Sequence, residues 1–272
     1  MNILVEDRER GVTMEAIVEG EGPDVVLIAS ALRGAGDFAQ LQRDLAAAGY
    51  RSIAIHMRNA GRSRGPDGDL NLRDIARDVA GVIAKLCDGP VHIVGHALGN
   101  IIARGTASFH PELIRCVAVM PCGGHDLGKY PVSDEVIQAM GRCHDESLSE
   151  AVRREALSIA FFAPGNDPGC WLADWWPAST IVSTAALRND PEEWWRAGGK
   201  PMLILQPLED AMSPRESGLN SVKALGGQAI YAEIPHCGHA ILPEQPELVA
   251  RAVIAFLDEQ EAASQTNQGE RA

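Results

Sequence analysis

Short hydrophobic runs alternate along this chain with longer segments of helical periodicity. Val25-Val26-Leu27-Ile28-Ala29 and Ser52-Ile53-Ala54-Ile55 are apolar, rich in β-branched residues and bounded by turn residues, as buried parallel strands are. The segment between them ends in Ala46-Ala47-Ala48-Gly49, a helix closed by glycine, so the three form one βαβ unit. After a loop from Gly61 to Gly68, apolar residues at Leu72, Ile75, Ala76, Val79, Val82, Ile83 and Leu86 recur at steps of three and four, one face of a long helix. Pro90-Val91-His92-Ile93-Val94 then reads as another buried strand, and Asn100-Ile101-Ile102-Ala103-Arg104 opens a helix. Further strands are expected over Leu113 to Met120, Met202 to Gln206 and Ala229 to Ile234, with a final helix from Pro246 to Leu257. Strands alternating with helices predict a parallel sheet covered on both faces.

The rhythm breaks between Gly123 and Gly199. That stretch is mostly helical in pattern, flanked by glycines, and holds all five tryptophans: Trp171, Trp175, Trp176, Trp194 and Trp195. A hydrophobic lid inserted between two core strands has this character. The expected division is a core of residues 1–122 and 200–260, a helical cap over 123–199, and a polar, aperiodic tail over 261–272.

Composition narrows the function classes. A chain of 272 residues with 46% hydrophobic and 22% charged residues reads as one sizeable globular domain. Its net charge of −13, with no basic stripe, argues against nucleic acid or an anionic membrane as partner. The first residues become charged before a signal-peptide core could form, and no apolar run is long enough to span a bilayer, so the cytoplasm is the expected compartment. The six cysteines have neither zinc-site spacing nor the density of a disulfide scaffold, and no metal site is expected. The partner expected is a small molecule, and oligomeric state is left open.

Val94-Gly95-His96-Ala97-Leu98-Gly99-Asn100 has the form of a nucleophile elbow, a tight strand-to-helix turn flanked by small residues, with alanine where an attacking serine would stand. Leu203-Ile204-Leu205-Gln206-Pro207-Leu208-Glu209-Asp210 and Ile234-Pro235-His236-Cys237-Gly238-His239-Ala240 come later, in the order of an acid loop and a histidine loop. With Arg58-Asn59-Ala60-Gly61-Arg62-Ser63 as the turn after an earlier strand, the chain resembles a cap-containing, cofactor-free α/β-hydrolase from Val12 to Leu257.

The resemblance implies an α/β fold with a mostly parallel eight-stranded sheet, helices on both faces and an inserted helical cap. It implies Ala97 at the nucleophile position, His239 as base and Asp210 as acid, with Glu209 the nearest substitute. Asp210 could instead cap the turn near Ser213 and Pro214. The oxyanion hole would use the backbone N–H of Leu98 and one from Ala31 or Leu32. The usual His-Gly start of that second loop is replaced by Ala29-Ser30, which brings Ser30 and Arg33 close; Arg33 is either a solvated loop residue or a partner for a substrate carboxylate. His96, Trp171, Trp175 and Trp176 complete the candidate substrate contacts.

Alanine has no nucleophile. Losing such a serine costs about a millionfold in turnover, while the pocket and oxyanion hole survive. Two origins of Ala97 stay open, a serine deliberately replaced and an alanine native to a divergent subgroup. The expected chemistry is hydrolysis of an ester or related acyl bond in a small, largely apolar substrate, with or without a carboxylate, in a chain impaired at Ala97. The alternatives are His239 and Asp210 acting as general base in a lyase, isomerase or cofactor-free oxygenase, or a non-catalytic binding protein. Ser30 and Cys122 are the substitute nucleophiles at hand.

Overall fold

The structure is a computed structural model that describes residues 1–121 and 129–269, with side chains to residue 266. Eight strands form one sheet: β1 (Asn2–Asp7), β2 (Val12–Glu19), β3 (Asp24–Ile28), β4 (Arg51–His56), β5 (Val91–His96), β6 (Ile114–Met120), β7 (Met202–Pro207) and β8 (Ala229–Ile234). Their spatial order is β1-β2-β4-β3-β5-β6-β7-β8. The pairs β1/β2 and β2/β4 are antiparallel, and every later pair is parallel.

Helices lie between the strands: α1 (Ala39–Ala47), α2 (Leu72–Leu86), α3 (Leu98–Phe109), then α4 (Asp134–Cys143), α5 (Glu150–Ala160) and α6 (Thr180–Ala186) between β6 and β7. They are succeeded by α7 (Arg215–Leu225), the short α8 (Ile241–Glu244) and α9 (Pro246–Gly269). The inner strands β3 to β7 are hydrophobic on both sides because both are covered. Val26 and Ile28 of β3 pack with Ile75 and Val79 of α2 and Ile101 and Ile102 of α3 on one face. Val25 and Leu27 pack with Leu41 and Leu45 of α1 and Val253 and Phe256 of α9 on the other. This period-2 division of a continuous apolar run is what a parallel strand buried on both faces requires.

Helix α2 starts at a capping box, Asn71 accepting from the Arg73 N–H while Asp74 accepts from the Asn71 N–H.

The stretch between β6 and β7 packs as two groups. Residues of α4 and α5 form a separate cluster with Phe161, Phe162 and Trp171 that includes Ala240. Val182, Ala185, Trp194 and Trp195 instead belong to the main core beside α3. The expected cap boundary at Gly123 and the candidate Cys122 lie outside the described residues.

Three elements differ from what the hydrophobic pattern predicts. Strands β1 and β2 form an antiparallel ribbon where no strand was expected, because their alternating polar residues hide the apolar ones at Val5, Val12 and Met14. The expected frayed tail is a correction: residues 261–269 continue α9. Glu261 anchors that extension, its carboxylate meeting His92 Nε2 and Arg115 Nη1, each at 2.8 Å.

Candidate active site

In an open α/β sheet, ligands sit beyond the carboxyl ends of the strands where the winding direction reverses. Here β3 leads outward to β4 on one side and β5 leads to β6 on the other, so the reversal falls between β3 and β5. The loop after β3 carries Ser30, Ala31 and Leu32, and the turn after β5 carries Ala97 and Leu98. All five line one cavity of about 260 Å³, as does His239.

Ala97 joins β5 directly to α3 with φ 50° and ψ −111°, a backbone region that L residues rarely occupy. Its N–H donates to the Met120 carbonyl at 2.7 Å, and its carbonyl accepts from the Asn100 N–H at 2.9 Å. The flanking glycines are forced by contact. A Cβ on Gly95 would lie 2.2 Å from the Gly99 carbonyl oxygen, and one on Gly99 would lie 2.1 Å from that of Ile28. The turn is therefore pressed against the end of β3, which brings the two loops together. Leu98 begins α3, so its N–H belongs to the first turn, whose amides have no partner within the helix.

His239, which lines the same cavity, meets Asp210. Nδ1 of His239 lies 2.9 Å from Oδ2 and 3.2 Å from Oδ1 of Asp210, with both residues buried. Nδ1–H donates to the carboxylate, which leaves Nε2 for the cavity that the ring lines. Asp210 Oδ1 also accepts the N–H groups of Met212 and Ser213, at 2.8 and 3.0 Å. The capping arrangement and the histidine contact thus coexist. Glu209 points elsewhere, 3.7 Å from His236 and partly exposed.

The remaining sequence candidates divide. Trp175 lines the cavity, whereas Trp171, Trp176, His96 and Arg33 do not. His96 is fully buried, its Nε2–H donating to the His239 carbonyl at 2.8 Å, so it holds the histidine loop. Burial, aided by the charge of His239, pushes its pKa down to about 3 and keeps the ring neutral. Arg33 is neither solvated nor free for a substrate carboxylate. Its Nε and Nη2 donate to the two Asp37 oxygens at 2.9 and 2.5 Å, and Nη1 donates to the Ala173 carbonyl at 2.6 Å. Its guanidinium carbon sits 4.7 Å from the Trp171 ring centre and 4.8 Å from that of Trp175. Sequence placed the arginine near the site but could not see Asp37 one helical turn later as its partner.

Several residues carry no sequence signal for the site. Tyr130, Met140, His144 and Phe161 from the insertion, with Met212, Ser213 and Ser217 near Asp210, complete much of the wall. Glu244 braces the histidine loop, its carboxylate accepting from Gly238 N–H at 2.8 Å, Ala163 N–H at 2.7 Å and the Asn166 amide at 2.7 Å. Burial pushes its pKa up, against the pull of those three donors. No metal-ligating cluster occurs among the described residues.

An elbow after the central strand, a buried histidine–carboxylate contact and a cavity shared by both match a family. The chain belongs to the alpha/beta hydrolase family, whose sequence profile matches residues 25–252. It is 34% identical over 260 residues to a protein of Variovorax paradoxus named provisionally as a carbamate hydrolase, RutD, covering 88% of this chain and 94% of that one. It is 27% identical over 263 residues to the 2-hydroxy-6-oxo-6-(2'-aminophenyl)hexa-2,4-dienoic acid hydrolase of Metapseudomonas resinovorans, covering 91% and 88%. In three dimensions it resembles the esterase EaEST of Exiguobacterium antarcticum, with TM-score 0.75 and 18% identity over 95% of this chain and 100% of that one. A thermophilic esterase of Thermogutta terrifontis superposes with TM-score 0.71 and 20% identity over 96% and 99%. No helix of the described residues is long and apolar enough to cross a membrane.

Proposed function

We propose that the site is built for hydrolysis of an ester or related acyl bond in a small, largely apolar substrate, and that Ala97 withholds the nucleophile. In this reading His239 is the general base, Asp210 orients it and balances its charge, and the N–H groups of Leu98 and Ala31 stabilise the oxyanion. Leu32 is the other candidate donor on that loop. Helices α4 and α5, whose cluster reaches Ala240 next to the base, act as the lid. The observation that carries the reading is the His239–Asp210 pair, 2.9 Å apart, opening into the same cavity as the strained Ala97 turn. A backbone held in that conformation would present a side chain at position 97 to the cavity, where a serine hydroxyl could be deprotonated.

The test is Ala97→Ser assayed with p-nitrophenyl esters. The variant should hydrolyse them through a trappable acyl-enzyme, and His239→Ala in the same background should remove about the whole gain, up to a millionfold. Absence of turnover and of acylation by Ala97→Ser, with the fold intact, counts against the reading.

A second reading rests on the same pair. With no hydroxyl at 97, Nε2 of His239, whose ring lines the cavity, could act on water or an acidic C–H as a general base. Turnover by the unmodified chain that His239→Ala abolishes and Ala97→Ser leaves unchanged would favour it.

A further inference from the structure

The charge of the cavity wall bears on which substrates it admits. Among the described lining residues none is lysine, arginine, aspartate or glutamate. Two histidines line the wall among the described residues. His239 is paired with Asp210, and His144 lies against Trp175 with ring centres 5.8 Å apart. Lys129 packs over the Tyr130 ring at 5.4 Å but is solvent-exposed, where water and salt screen its charge.

Arg33 is a buried cation beside this wall whose position invites another conclusion, and its surroundings answer it. Its side chain is 2% exposed and that of Asp37 is 3% exposed, so each charge is neutralised by the other. The guanidinium stands between Trp171 and Trp175, and Trp175 in turn lines the cavity. On the same loop, the Leu32 carbonyl accepts the Trp176 N–H at 2.8 Å. Arg33 therefore fastens the tryptophan segment to the loop after β3. Turning it toward a ligand would break three hydrogen bonds and leave Asp37 buried without its partner.

We propose, resting on the acyl-hydrolysis reading of the site, that this cavity takes uncharged apolar esters and rejects counterparts that carry a carboxylate. Moving a carboxylate into a wall with no lysine or arginine among its described residues leaves its charge uncompensated, and the neutral hydroxyls of Ser30, Tyr130, Ser213 and Ser217 replace only part of its hydration. An aromatic or aliphatic group loses nothing there and gains contact with Leu32, Ile101, Met140, Phe161 and Trp175. The chain would differ in this respect from its relative named for a dienoic acid.

The experiment is calorimetric titration of the unmodified chain at pH 7 with methyl 4-methylphenylacetate and methyl 4-carboxyphenylacetate, which differ in one para substituent. The methyl compound should bind at least about tenfold more tightly. Equal or tighter binding of the carboxylate, or no saturable binding of the methyl compound, overturns the proposal. The paired variant Arg33→Met with Asp37→Leu removes both buried charges and should leave the preference in place. A selective loss of carboxylate binding in it would make Arg33 the receptor and overturn the proposal as well. A chain that prefers the methyl compound while Ala97→Ser fails to cleave it keeps this selectivity and loses the hydrolytic reading.

Discussion

Ala97 holds a conformation that suits glycine better than alanine. Strain at such a residue amounts to about 1–3 kcal/mol, against about 0.4–1 kcal/mol for the added freedom of glycine in the unfolded chain. Ala97→Gly is therefore expected to stabilise the protein by about 1 kcal/mol, seen as a higher urea midpoint with unchanged slope. A lower midpoint would mean that the φ of 50° is not strained in its surroundings. Gly95 and Gly99 permit the close approach of this turn to Ile28 whatever side chain stands at position 97.

Among the elements, α9 departs furthest from its sequence pattern. Its apolar periodicity ends near Leu257, and the residues beyond are polar; only the tertiary partners of Glu261 reveal why the helix goes on. A chain ending at Gln260 should lose on the order of 1 kcal/mol, since the surface pair with Arg115 contributes little and the His92 contact carries most of the effect. An unchanged thermal midpoint would show that the extension is idle. The five strands from β3 to β7 were legible because burial on both faces writes itself as a continuous apolar run, and the edge strand β8, half-exposed, was legible from its apolar residues alone. Strands β1 and β2, with one face partly exposed, wrote no such run. The elbow and the acid and histidine loops were legible as ordered motifs, whereas the cavity wall was not. Tyr130, His144 and Phe161 reach it only through the packing of α4 and α5, which no spacing in the sequence encodes.

For the molecule as a whole, buried histidines make stability depend on pH. Burial lowers the pKa of His96 from 6.5 to about 3, and lowers those of His92 and His56 as well. Below pH 6.5 the unfolded chain binds protons that the native chain refuses, so their contribution is lost as pH falls toward the native value. Buried Glu244 and Asp37, whose pKa values are raised, act in the opposite sense. His96 is isolated by comparison with His96→Phe. Relative to that variant, the native chain should lose about 1.4 kcal/mol per pH unit between pH 6.5 and 3. Parallel stability profiles for the two proteins would contradict a neutral buried His96. The cavity also joins residues far apart in the chain, from Ser30 to His239. Contacts of such long range form slowly, and a ribosome must finish β8 and the histidine loop before the last wall exists. Ligand affinity in a nascent or refolding chain should therefore appear abruptly and late, which would make any small molecule held by the cavity a chemical clock for completion of the fold.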